Sequence, residues 1–256
     1  MRPLYGTFVT QLSFHHTSWI DDWTVILVSH CLATLGMEIQ RYAIKVKAQP
    51  LPLFETPVGF GEISNAESLL DDLATAIKAN KAASSGIKRS NEGGWHSNTD
   101  MLEWGGEAAR KVADTAISIA KRMSHFEEAT VDDFDWKVTM WANVTAPRGL
   151  NALHSHPGNL WAAVLYIDMG GEPDSGIEPG GNFYLEDPRF PLAAMHNTGF
   201  RMRGGDGLPQ KYQVDLSLKR GNLIVFPAWL RHGVRAYTGS RERISVAINI
   251  DALPRR

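Results

Sequence analysis

The sequence predicts an α+β fold in which helices pack on one face of a double-layered, antiparallel β-barrel. Three observations carry this. Between residues 62 and 126 lie two stretches whose apolar residues recur at helical spacing. From residue 134 onward, short β-rich runs follow one another with turn residues between them. The two patterns are segregated along the chain rather than alternating, which separates this architecture from a parallel α/β sheet. At 256 residues, 43% hydrophobic and 21% charged, the chain can bury one large core.

The elements follow in order. The apolar stretch "WTVILVSHCLATLGM" (residues 23–37) is too short, and too interrupted by His30 and Cys31, to span a bilayer. Asp21 and Asp22 precede it, which is wrong for a signal peptide. Residues 1–36 are therefore expected to be an N-terminal extension. It is either loosely attached or lies upstream of a natural start at Met37, and the second reading is favoured. Residues 37–256 are expected to form a single domain, helical over 62–126 and β over 134–250. "IQRYAIKV" (39–46) reads as a strand, and the proline-rich 50–60 as an extended segment. Ser64 or Asn65 is the expected cap of a helix that sets Leu69, Leu70, Leu73 and Ile77 on one face.

Residues 81–100 read as a long polar loop holding Trp95 and His96. A second amphipathic helix over 106–126 turns Ala109, Val112, Ala113, Ala116, Ile119, Ala120 and Met123 inward. Six strands are then expected: "DWKVTMWANV", "WAAVLYID", "GGNFYLED", "YQVDLSLK", "GNLIVFPAW" and "RISVAINI". The loop 81–100 and the insert 188–209 hold several glycines and are the expected lids.

Composition narrows the chemistry. A net charge of -2 supplies no field for nucleic acid or an anionic membrane. The single cysteine excludes an internal disulfide framework and a multi-thiolate zinc site. Any metal must be held by histidines and carboxylates. A reducing, cytoplasmic setting fits this cysteine usage.

His154 and His156 stand one residue apart at the beginning of a buried strand, and His232 stands at the end of another. In an antiparallel barrel such ends meet at one mouth, where imidazoles can converge on a divalent ion. A facial set of three ligands leaves further coordination positions open. Ten residues beyond His232 comes Arg243, and Ser245 follows two later on the same strand face. An Arg fork beside a hydroxyl suits a carboxylate. Arg241 shares the expected face and is the alternative clamp.

Each feature has a plainer reading taken alone. Paired loop histidines are usually surface residues, and an Arg-x-Ser pair is usually an exposed strand face. Trp161 and Tyr166 read first as core, although Tyr166 could reach a carboxylate. "PGGNFYLED" has no helix after it and so is no phosphate loop. His96 and His196 read as structural or incidental. The joint order of the motifs outweighs these readings: paired histidines, a Gly-Gly strand, a strand-end histidine, then Arg-x-Ser.

That order resembles the non-haem Fe(II)/2-oxoglutarate dioxygenases. The stretches "LFETPV", "SNEGGWHS", "MWANV", "HSHPGNLWAAVLYID", "GGNFYLEDPR" and "GNLIVFPAWLRHGV…RISVAIN" are similar to a bacterial and phage subfamily of oxygenases of unknown substrate. The resemblance covers residues 50–250. It implies a double-stranded β-helix (jelly-roll) core with helices on one face. It implies Fe(II) held by His154, His156 and His232, and 2-oxoglutarate held at its far carboxylate by Arg243 and Ser245, with Asn143 and Tyr166 beside it. Oxidative decarboxylation to succinate would then be coupled to hydroxylation or a related oxidation of a small-molecule substrate. Neither nucleic acid nor membrane is expected as a partner, and pairing of sheet faces into a homodimer suits the fold.

One departure matters. The usual triad is two histidines and one acid, but the acid position holds His156. Three arrangements stay open. All three histidines bind; or a carboxylate such as Asp187, with Glu186 behind it, completes the site; or two histidines bind with an anion, as in halogenases. A histidine fills the space that the last arrangement needs. Two functions of other kinds also stay open: a cupin-like binding protein without turnover, and a three-histidine metal dioxygenase needing no 2-oxoglutarate.

Overall fold

The computed structural model describes residues 54–171, 180–189, 197, 199–204 and 206–255, and the backbone of two short strands before them. Those two, β1 (Trp23–Ile26) and β2 (Lys45–Ala48), pair antiparallel. They belong to a small unit, Met1–Phe54 with Met202–Gln210. Of the expected strand 39–46, only Lys45 and Val46 are described, as part of β2; the rest of it and most of the expected extension fall outside the described residues.

The main unit comprises Glu55–Arg201 and Lys211–Arg256. It begins with β3 (Gly59–Glu62), then α1 (Glu67–Ala83), β4 (Asn91–His96), α2 (Met101–Trp104), α3 (Gly106–Arg122) and a 3-10 turn at Val131–Asp133. The β core follows: β5 (Phe134–His154), β6 (Trp161–Asp168), β7 (Phe183–Glu186), β8 (Gln213–Leu216), β9 (Asn222–Pro227), β10 (His232–Val234) and β11 (Arg243–Pro254). The sheet path is β3-β9-β6-β11-β5-β10-β7-β8, with β4 also on β5. Every named pair in the main sheet is antiparallel, as the jelly roll requires. The six expected strands are all present. β5 is far longer than expected: its first part pairs β11, and its last part pairs β10.

Strand alternation separates two cores. Even positions of β5 and β11 and odd positions of β6 and β9 pack on the helices; Met140, Ala142, Val246, Ile248, Leu165 and Val225 belong to this layer. The opposite positions, Trp141, Ala162, Val164, Tyr166, Phe226 and Ala247, form a second cluster with Phe183 from β7. Burial on both faces is why β6 and β9 read as continuous apolar runs.

Leu70, Leu73 and Ile77 of α1 are buried, as are Ala109, Val112, Ala113, Ala116 and Ala120 of α3. Arg220 ties α1 to the sheet, reaching Asp71 at 2.6 Å, Glu67 at 3.3 Å and the Ile167 carbonyl at 2.7 Å. The expected cap is corrected: Ala66 holds the N-cap position without a side-chain bond, and Asn65 turns the chain at φ 52°. The expected loop 81–100 is also corrected. Its second half is β4, whose Trp95 and His96 pair with Val144 and Asn143, so it is a fixed part of the sheet. The two glycines in "NEGGWH" masked a strand pattern, and β5 supplies the backbone partners that overrule it. Most of the insert 188–209, His196 included, falls outside the described residues or in the small unit.

Candidate metal centre

Antiparallel register sets His154, the last residue of β5, directly opposite His232, the first of β10. Their ring centroids are 4.4 Å apart. His156 lies two residues beyond β5, where its backbone N–H donates to the Ala228 carbonyl at 2.8 Å and ties the turn to the end of β9. Its ring stands parallel to that of His232, with 6° between the planes and Nε2 atoms 3.2 Å apart. One nitrogen from each imidazole falls within 4.8 Å of the other two. Nitrogens about 2.1 Å from one ion and at right angles to it stand about 3 Å apart, so this spacing suits a shared metal.

The backbone selects the tautomer of two of the rings. Nδ1 of His154 lies 2.7 Å from the Ala152 carbonyl, and Nδ1 of His232 lies 3.0 Å from the Leu230 carbonyl. Each Nδ1–H donates two residues upstream, which leaves the Nε2 lone pair for a ligand.

Burial is the main cause that lowers the proton affinity of all three rings. His154 also repels charge on its two neighbours, and His156 falls to about 4 and His232 to about 3. The imidazoles are therefore neutral near pH 7, as metal ligation requires. The linkage sign follows. Unfolded histidines titrate near the ordinary value of about 6.5, whereas the folded rings hold out to lower pH. The unfolded chain thus binds more protons between about 6.5 and the lowered folded values, and stability falls as pH falls through that window. Urea unfolding of metal-free protein should give a lower midpoint at pH 5 than at pH 7.5. A variant with all three histidines changed to glutamine should lose most of that difference; an equal drop in the variant would assign it to other groups.

The carboxylates weighed as completing ligands turn elsewhere. Asp187 is engaged by Arg189, whose Nε and Nη2 reach its two oxygens at 3.0 Å each. Glu186 pairs with Arg231 at 2.8 Å and accepts from Gln213 at 2.9 Å. Leu185 is the β7 residue opposite His232, so alternation sends Glu186 to the other face. Among the described residues no carboxylate joins the three-histidine group.

Beside the imidazoles, Asn143, Ser245 and Tyr166 form one register row across β5, β11 and β6. All three line the same cavity as the histidines, a space of about 470 Å³ counting its open mouth. Trp141, Val164, Phe183 and Phe226 supply apolar walls. Three buried polar atoms here have no hydrogen-bond partner in the protein: Asn143 Oδ1, Tyr166 Oη and Arg243 Nε. Buried polar groups are normally paired, so such a cluster is a place for a polar ligand. Arg243 is 3% exposed, lies 4.7 Å over the Tyr166 ring, and donates through Nη1 to the Gly181 carbonyl. Burial pushes the Tyr166 hydroxyl up to about 12, so it keeps its proton and can donate. Arg241 is corrected as the alternative clamp. It precedes β11, is exposed, and reaches the Asp168 carboxylate at 3.4 Å and the Gly170 carbonyl at 2.8 Å.

Residues not expected at the site from sequence also stand here. Ser90 Oγ lies 3.4 Å from Nε2 of His154, and Asn151 lines the cavity beside it. His96 is buried and stacks on Trp141, which stacks on His156 at 5.7 Å. Alternation from Asn143 marks Trp141 as sharing its face.

Residues 139–249 match the family model described as "Putative 2OG-Fe(II) oxygenase". The β core is similar to the 2OG-Fe(II) oxygenases. The match takes in the three histidines, Asn143, Tyr166, Arg243 and Ser245, and leaves the helices outside. Solved structures share the oxygenase fold across more of the chain. A prolyl-4-hydroxylase of Pseudomonas putida is 18% identical, with a TM-score of 0.52 over 78% of this chain and 94% of that one. A prolyl hydroxylase of Trichoplax adhaerens, solved with a hypoxia inducible factor peptide fragment, is 12% identical at a TM-score of 0.53, covering 76% and 83%. HygX of Streptomyces hygroscopicus, solved with nickel, 2-oxoglutarate and hygromycin B, is 10% identical at a TM-score of 0.51, covering 77% and 83%. No curated protein matches the chain.

Proposed function

We propose that this chain is an Fe(II)- and 2-oxoglutarate-dependent oxygenase that oxidises a substrate entering the cavity mouth. One observation carries the reading: three neutral imidazoles converge beside a buried row of unpartnered polar groups on the same barrel face. The donor set fits Fe(II), which accepts imidazole ligation. His154, His156 and His232 would hold it. Bound iron, with 2-oxoglutarate and oxygen, supplies the oxidising power, and the protein supplies orientation and shielding. Arg243 and Ser245 would receive the far carboxylate of 2-oxoglutarate, with Tyr166 donating its hydroxyl proton as a hydrogen bond. Asn143 would orient the cosubstrate from the next strand. Trp141, Phe183 and Phe226 keep water from the imidazoles. No helix among the described residues is long and apolar enough to cross a membrane.

Anaerobic addition of Fe(II) and then 2-oxoglutarate should produce a metal-to-ligand charge-transfer band in the visible. Folded protein without that band would sink the reading. The lack of a carboxylate in the metal group favours one second reading, a three-histidine dioxygenase needing no cosubstrate. Oxygen consumption with metal and substrate but without 2-oxoglutarate would support it.

The clamp depends on a glycine. Gly181 sits at φ +68°, and a Cβ there would lie 2.6 Å from Nη1 of Arg243. Gly181→Ala should displace the guanidinium, raise the KM for 2-oxoglutarate and lower stability by about 1 kcal/mol. Wild-type KM in that variant would show that the clamp tolerates the shift.

A further inference from the structure

The outer face of β7 and β8 carries a second cavity. Phe183 and Leu185 belong to the apolar cluster around the metal cavity, so alternation turns Tyr184 and Glu186 outward. Gln213 and Asp215 of β8 lie opposite Glu186 and Tyr184 in register. Polar side chains on this face join in one network. Arg231 pairs with Glu186 at 2.8 Å, and Gln213 donates to Glu186 at 2.9 Å. Gln213 also accepts from Nη2 of Arg235 at 2.7 Å, and Nε of Arg235 reaches Asp215 at 2.8 Å. Glu186, Gln213 and Arg235 line an open cleft of about 790 Å³ counting its mouth, and Arg201, Lys211 and Tyr212 complete it. Two guanidiniums of the cleft are fixed on aromatic rings. Arg235 lies 3.7 Å over Tyr184. Arg201 lies 3.9 Å over Tyr212 and donates to its hydroxyl at 2.9 Å. Tyr212 is itself anchored, because its carbonyl accepts the Asp187 N–H at 2.7 Å.

We infer that this cleft is a binding site for a phosphate monoester group, separate from the metal cavity. Charge is the first reason. Three cationic side chains and one carboxylate line the cleft, an excess of two positive charges. Arg231 and Asp215, which pair with lining residues, carry opposite charges and leave that excess unchanged. A phosphate monoester carries about 1.5 to 2 negative charges at pH 7, whereas a carboxylate carries one. The donors are the second reason. Guanidinium forks and an ammonium are the groups that phosphate oxygens accept from. Nη1 of Arg235 takes no part in the bonds to Asp215 and Gln213, and Lys211 is exposed. Preorganisation is the third. The tyrosine rings and the Gln213 bridge hold the guanidiniums before a ligand arrives, which lowers the ordering cost of binding. Glu186 does not oppose the anion, because Arg231 and Gln213 engage its carboxylate. The cleft is wide enough to take an organic group beyond the phosphate. Leu185 pairs with both Val214 and His232, so Glu186 and Gln213 stand one residue beyond the row of His232. The cleft therefore adjoins the metal end of the sheet from its opposite face.

The test uses metal-free protein at low salt. ¹H–¹⁵N amide spectra are followed during titration with phenyl phosphate, inorganic phosphate and acetate. Phenyl phosphate should shift the amides of Glu186, Lys211, Gln213 and Arg235 to saturation. It should bind at least as tightly as inorganic phosphate, and acetate should bind about tenfold more weakly or less well still. Lys211→Glu, a change at an exposed side chain, should keep the wild-type melting temperature and weaken phenyl phosphate about tenfold or more. Arg201→Gln should weaken it similarly. Arg243→Met should bind it as the wild type does. The inference is overturned if no saturable shift appears at these amides, or if Lys211→Glu keeps wild-type affinity. Binding of inorganic phosphate without phenyl phosphate would make the cleft a site for the free anion and overturn it too. So would a response lost in Arg243→Met, which would assign the anion to the buried clamp. Neither metal nor 2-oxoglutarate enters the readout, so failure here leaves the oxygenase reading standing, and the reverse holds.

Discussion

Replacing His232 by alanine should abolish metal binding while leaving a folded protein. His232 is one of the three proposed ligands, and its ring lies 4.4 Å from that of His154 and 5.0 Å from that of His156, centroid to centroid. Two imidazoles left at one side of a cavity bind a divalent ion weakly. The loss in Co(II) or Fe(II) affinity should exceed the roughly 10–100-fold expected when only an outer-shell partner is removed. Substrate oxidation and succinate release should disappear with it. The fold should survive because the ring's one hydrogen bond to the backbone is to the Leu230 carbonyl, and removing it relieves a desolvated titratable group. Calorimetry and a thermal melt read the two halves separately. His156→Asp, which recreates the commoner acid, should retain binding. Undiminished affinity in His232→Ala would place the metal elsewhere.

Arg243→Met should remove 2-oxoglutarate binding and spare the metal. The guanidinium is buried, stacked over Tyr166 and held by the Gly181 carbonyl, yet its Nε faces no protein acceptor. An anion pairing with such a group forms a desolvated, charge-assisted contact. Truncating one partner of such a pair costs about 2–5 kcal/mol, or roughly 30- to 4,000-fold in affinity. The dissociation constant for 2-oxoglutarate should rise accordingly and coupled succinate release should fall to background. Co(II) content should match the wild type, because Arg243 contacts none of the three imidazoles. Methionine keeps the volume and removes an unsatisfied charge, so the melting temperature should hold or rise. Turnover that survives with 2-oxoglutarate affinity unchanged would favour a three-histidine enzyme without the cosubstrate; metal binding with no turnover even in the wild type would favour a cupin-like binding protein.

Much of the fold was legible because its patterns are local. The apolar positions of α1 and α3 recur at the spacing of one helical face, and six strands announced themselves by β-branched and aromatic runs between turn residues. β4 was not legible. Its two glycines carry no side-chain pattern, and only pairing with β5 makes it a strand. The same gap hid His96, which reads as a loop residue but is buried against Trp141. Arg241 misled for the opposite reason. Alternation was extended two residues beyond the start of β11, where the chain no longer follows it.

By itself, the sequence determined the residue types from which a metal centre and a carboxylate clamp could be made, and the spacing of His232, Arg243 and Ser245. Only the tertiary structure decided which of them meet. His154 and His232 are 78 residues apart and face each other because of one strand register. Asp187 stands near in motif but is engaged by Arg189, and Glu186 is turned to the other face of β7. Spacing along a chain constrains what one strand presents, whereas convergence depends on long-range pairing that no local pattern encodes.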